Sequence, residues 1–150
     1  MKIIVVGAEG DIGKTICAEL GSRHDLIRVG RTSGDLQVDI ADRKSIRALY
    51  AQTGRVDAVV SATGAVHFGP LTEFTEDQML LGRKNKVMGQ INLVLEGLAH
   101  VTDGGSFTLT SGVLDRDPIR MGVGPQQPTA LWPGSWWGLP SRCRAACGST

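Results

Sequence analysis

The chain has 150 residues, 41% of them hydrophobic and 21% charged, with a formal net charge of +1. That is enough sequence for one globular domain with a real core, and the near-zero charge argues against a nucleic-acid or membrane-surface partner. No apolar run approaches the roughly 18 residues of a membrane span, no basic segment and cleavage site precede the first strand, and Cys17, Cys143 and Cys147 make neither a disulfide framework nor a metal site; the expected setting is a reducing cytoplasm.

Residues 3–6 are an apolar, β-branched run and predict a first strand. Gly7, Gly10 and Gly13 follow at three-residue spacing, and the pattern then becomes helical over residues 12–21. A strand, a glycine turn and a helix start together bare unpaired N–H groups at the positive end of a helix dipole. Such an end attracts phosphate, and glycine lets the backbone come close to it. The stretch predicts a dinucleotide site. Residues 26–29 read as a second strand, 30–34 as a polar loop, and 36–40 as a third strand. Residues 42–45 open a helix with Ile46, Leu49 and Tyr50 on one face, closed by Gly54. Residues 58–60 form the next strand and leave it through the small-residue turn 61–64. A long helix is expected over 76–99, with Val87, Ile91, Val94, Leu95 and Leu98 inward. Gly104 and Gly105 are expected to turn the chain into a fifth strand over 106–110.

Strands alternating with helices predict an α/β fold, a Rossmann-like doubly wound parallel sheet with helices on both faces. Ligands in such sheets sit at the carboxyl ends of the strands. The polar and glycine loops 7–13, 30–34, 39–42, 61–64 and 111–113 all fall there.

Over residues 1–124 the chain resembles the short-chain dehydrogenase/reductase family in a divergent form. Gly7, Gly10 and Gly13, with Glu9, Asp11 and Ile12 among them, are similar to the variant cofactor loop of its atypical members. Asp39-Ile40 resembles the acidic position that meets the adenine amino group. Ser61-Ala62-Thr63-Gly64 resembles the family's turn beside the cofactor. Ser111 falls where the family has its catalytic serine, and Lys86 replaces the active-site asparagine. The second strand ends without an acid but with Arg31, Thr32 and Ser33, which suit a 2′-phosphate and favour NADP(H) over NAD(H). The resemblance implies an oxidoreductase acting on a small carbonyl or alcohol substrate, paired into a homodimer through the long helix. The family's tyrosine and lysine positions hold Gly124 and Pro128, and the sole tyrosine, Tyr50, lies on an early helix. A non-catalytic nucleotide-binding module is therefore an alternative. A second is a P-loop nucleotide triphosphatase, from Ala8 with Gly13-Lys14-Thr15, although no strand ends in a clear Mg²⁺-binding aspartate.

Composition changes at residue 125. Residues 125–150 contain all three tryptophans and no acid, and they predict an irregular tail. A shifted reading frame explains that break; a genuine Trp/Pro-rich, partner-binding tail is the other reading. Without the helix and strand the family expects there, the face around Phe107 and Leu109 is expected to be bare.

Overall fold

The computed structural model describes residues 1–65 and 67–111 and the backbone of a short strand at 144–145. The elements are β1 (Lys2–Val6), α1 (Asp11–Leu20), β2 (Asp25–Gly30), β3 (Leu36–Gln37), α2 (Arg43–Thr53) and β4 (Val56–Ser61). A 3-10 turn (Leu71–Glu73), α3 (Glu76–Gly82), a π-helical segment (Arg83–Gly89), α4 (Gln90–Gly97), β5 (Val101–Leu109) and β6 (Arg144–Ala145) follow. The strands form one parallel sheet in the order β3-β2-β1-β4-β5-β6. Strand order reverses between β1 and β4. The predicted doubly wound α/β architecture is the observed one.

Period-two alternation in β1 sorts the core into two layers. Ile4 and Val6 face one layer with Val29, Ile46, Leu49, Tyr50, Val59, Leu93 and Phe107, beneath α2 and α4. Ile3 and Val5 face the other with Ala8, Cys17, Ala58 and Val60, beneath α1. Buried on both faces, β1 and β4 read as continuous apolar runs, as central parallel strands do. Val6 pairs with Val29 on one side and Ser61 on the other, so the loops after β1, β2 and β4 leave the sheet at one level.

Three elements differ from the sequence expectation. Strand β3 has two residues rather than five, and two residues beyond its end the Asp39 carboxylate accepts the Ala41 N–H at 2.9 Å in a turn. Gly104 and Gly105 lie inside β5 rather than before it. Gly104 has φ +80°, and the register jumps from Val56↔Val101 to Ala58↔Ser106, so the two glycines absorb a bulge. The long helix is interrupted by the π segment. Its wider turn carries an extra residue, yet Val87 and Val94 are buried and Ile91 and Leu98 half-buried, as the spacing predicts. Leu95, expected inward, is 52% exposed, and Leu93 is fully buried in its stead.

Phe107 is also not bare: it is 2% exposed and packs against Gly97 and the α4 layer, while Leu109 is partly buried. Gly124 and most of the expected irregular tail, Cys143, Cys147 and Pro128 included, lie outside the described residues. Within it, Arg144 and Ala145 pair with Ser106 and Phe107. Among the described residues no helix is long and apolar enough to cross a membrane.

Candidate functional site

The three glycines of the first loop do different work. Gly7 has φ +85°, and a Cβ there would stand 2.5 Å from the Ala62 carbonyl oxygen, so glycine lets the loops after β1 and β4 touch. A Cβ on Gly13 would stand 2.0 Å from the Gly7 carbonyl oxygen, so glycine seats α1 against the turn. Gly10 has ordinary dihedrals and is exposed, with its nearest contact at 3.4 Å. As N-cap of α1 it offers no side chain to the first-turn amides. The starts of α2 and α3 are capped: Asp42 accepts from Lys44 N–H at 2.9 Å, and Thr75 with Gln78 forms a capping box.

Beside this start lies a cleft of about 90 Å³ lined by Val6, Gly7, Gly30, Arg31, Val38, Asp39, Ile40, Thr63, Ala65 and Asn85. Gly7, Arg31, Asp39, Ile40 and Thr63 were expected at a ligand site; Asn85, Ala65 and Val38 were not. No motif marks those three. Asn85 enters through the π segment, which carries no sequence signature. Arg31 Nη2 stands 3.7 Å from Asp39 Oδ2. Thus an acid does meet the end of β2, brought from the following loop, although the local sequence has none. Arg31 keeps most of its five donors free of that pair. Asp39 is fixed from both sides, as its N–H donates to Ser45 Oγ at 2.9 Å.

Glu9, Gly10, Asp11 and Ile12 form the exposed lip over the α1 start, with Ile12 59% exposed. Thr32 and Ser33 are exposed beside Arg31 and do not line the cleft. Ala62 is half-buried and anchored by its N–H to the Val6 carbonyl at 2.8 Å; Gly64 is half-buried next to it.

Lys86 reaches the same end of the sheet. Its Nζ donates to Thr110 Oγ1 at 3.1 Å and lies 3.4 Å from the Thr63 carbonyl oxygen. Burial pushes this ammonium below the usual lysine range. Gly64, with φ +129°, leaves room for its stem: a Cβ there would meet Lys86 Cδ at 2.5 Å. Gln90 is fully buried, and its Nε2 donates to the carbonyls of Lys86 and Thr110 at 3.0 and 3.1 Å. The residue gathered with Lys86 is thus Thr110, while Ser111 is exposed one residue further on. Tyr50 is remote: its hydroxyl is spent on the Leu93 carbonyl at 2.7 Å, and burial pushes it well above the usual phenol range.

The NAD dependent epimerase/dehydratase family matches residues 3–102, from β1 through the first residues of β5. The chain belongs to this family. In sequence it is similar to proteins of the short-chain dehydrogenase/reductase family, and it shares their fold. Protein lin1944 from Listeria innocua is 44% identical with a TM-score of 0.84, over 87% of this chain and 65% of that one. A small-chain dehydrogenase solved in complex with NADPH superposes with a TM-score of 0.79 at 24% identity, over 87% of this chain and 59% of its own. Elsinochrome reductase 1 from Elsinoe fawcettii is 27% identical over 133 residues, which are 73% of this chain and 50% of that protein. The chain therefore spans about half to two thirds of the length of these relatives.

Proposed function

We propose that this short-chain dehydrogenase/reductase domain binds NADP(H), with the pyrophosphate over the uncapped start of α1 and the adenosine end in the cleft beside Arg31 and Asp39. The observation that carries the reading is the meeting of an uncapped helix start with a cleft lined by Gly7, Arg31, Asp39 and Thr63. The cradle fits the group: a Cβ on Gly7 would bar the approach of the neighbouring loop, and Gly10 adds no bulk over the free amides. Arg31 would take the 2′-phosphate, with Thr32 and Ser33 beside it; Glu9, Asp11, Ile12, Ile40, Ala62 and Gly64 would border the nucleotide. When bound, the cofactor supplies or accepts a hydride. The substrate is then a small carbonyl or alcohol compound, met by Lys86, Thr110 and Ser111 at the carboxyl ends of β4 and β5.

NADPH and NADH fluorescence titrations test this reading. Micromolar NADPH binding is expected, with Arg31→Ala weakening NADPH about tenfold and NADH little. Equal loss for both cofactors would remove the 2′-phosphate role, and no binding of either would remove the site. The non-catalytic module keeps one observation in its favour, since the sole tyrosine is buried and spent. Binding without turnover over a panel of small carbonyl compounds selects it. The homodimer reading extends to the long helix, where Leu81, Met88 and Leu95 are 38%, 46% and 52% exposed at seven-residue spacing. Light scattering of the purified chain decides that point.

A further inference from the structure

Lys86 has a long stem in the protein and, among the described residues, a charged head with two neutral partners. The ammonium carries three N–H donors. Two are directed, at Thr110 Oγ1 (3.1 Å) and at the Thr63 carbonyl (3.4 Å). Both acceptors are neutral. Among the described residues no carboxylate stands within salt-bridge distance of this nitrogen. A half-buried cation without an anion is costly, and exposed lysines avoid that cost by reaching into water. This one is prevented from leaving. Its stem fills the space that Gly64 leaves open, and Gln90 holds the Lys86 and Thr110 carbonyls together. The π segment that carries Lys86 is the kind of helix defect found at functional sites.

We propose that Lys86 and Thr110 form a subsite for an anionic oxygen, and that this oxygen belongs to a carboxylate of the substrate. The third N–H and the Thr110 hydroxyl then converge on the carboxylate, and the buried charge is balanced. A half-buried ammonium calls for a counter-charge, which a simple ketone or alcohol lacks. The inference rests on the reading above for its context and narrows the substrate class to small keto or hydroxy acids. A cofactor phosphate carries the same anionic oxygen chemistry, so the test must separate the two sources.

The experiment uses the full chain labelled with [ε-¹³C]lysine. It has five lysines, and the Lys86 resonance is assigned by its loss in Lys86→Met and confirmed with Lys86→Arg. Acetate is titrated into the free and the NADPH-loaded protein to about 100 mM, a range that covers weak single-contact binding. The expected result is a saturable shift of the Lys86 signal alone, weakened about fivefold or more in Thr110→Val. Lys86→Met is expected to bind NADPH within about threefold of the wild type. A Lys86 signal that ignores acetate, or moves only with the other lysines, overturns the proposal. A signal moved by NADPH and not by acetate overturns it too, by assigning the charge to the cofactor. Acetate binding without any NADPH binding would keep the subsite and remove the cofactor reading instead.

Discussion

Replacing Gly13 and Gly10 by alanine separates packing from ligand approach within one loop. At Gly13 the new Cβ would stand 2.0 Å from the Gly7 oxygen, 2.7 Å from the Gly7 carbonyl carbon and 2.8 Å from Ala8 Cα. All three neighbours are backbone, so no side chain can rotate away. The Gly7 carbonyl also accepts the Gly10 N–H at 3.1 Å, and moving it breaks the turn. Overpacking of this kind costs about 3 kcal/mol at the upper end, against about 1 kcal/mol gained in helix propensity. The net loss of about 2 kcal/mol lowers Tm by about 4–8 °C in a domain of this size. At Gly10 the nearest atom is 3.4 Å from the new Cβ, and the position is an exposed N-cap. The stability cost there is about 0.5 kcal/mol. Its methyl stands beside the free first-turn amides, so NADPH affinity falls about tenfold. Calorimetry and NADPH fluorescence on both variants make the comparison. Gly13→Ala melting with the wild type would refute the packing argument, and Gly10→Ala binding NADPH as tightly as the wild type would refute the placement of the pyrophosphate.

Tyr50→Phe removes only the hydroxyl bonded to the Leu93 carbonyl at 2.7 Å. That carbonyl lies within α4, so the expected loss is about 1 kcal/mol by urea unfolding, with NADPH binding untouched; a loss of binding would mean that Tyr50 reaches the site. Lys86→Met tests the sign of a buried charge. Burial lowers the folded-state pKa of Lys86 below its unfolded value of 10.5, so the unfolded chain binds that proton more tightly. The wild type therefore gains stability from this group as pH rises from the lowered pKa toward 10.5, and below that window the charged lysine is a cost. Urea midpoints at pH 7 and pH 10 are expected to converge for wild type and variant at the higher pH, with the variant equal or more stable at pH 7. A variant less stable at both would show that the ammonium is a structural contact.

The sheet was legible because its signals are local and redundant. Four apolar residues before Gly7, the Asp42 cap and the Gly54 stop each act within a few residues of themselves. The carboxyl-end loops follow from strand direction alone, and Gly7, Arg31, Asp39, Ile40 and Thr63 lie on those loops and line one cleft. What stayed hidden depends on phase and on distant partners. Asp39 meets Arg31 across the end of β2 from a turn beyond the two-residue β3, a contact that no local pattern records. Asn85 and Lys86 reach the site on a π-helical segment, which hydrophobic spacing does not record.

Gln90 links that segment to the end of β5. A glutamine with no exposure is tolerated only when its amide is used, and Nε2 bonds the Lys86 carbonyl within the helix and the Thr110 carbonyl on the sheet. Its Oε1 has no partner among the described residues. Gln90→Leu forfeits two bonds worth about 0.5–1.5 kcal/mol each. It also relieves the stranded oxygen, worth about 1–3 kcal/mol, so the two effects nearly cancel in stability. They do not cancel in geometry. Without the amide, the π turn keeps only the Lys86 side chain itself as a hydrogen bond to the end of β5, and Lys86 loses its fixed distance to Thr110. The expected outcome is an unchanged urea midpoint and unchanged NADPH binding, with the acetate response of the Lys86 resonance reduced about tenfold. A large fall in stability with that response intact would make Gln90 a core residue and leave the π turn without a role in positioning the lysine.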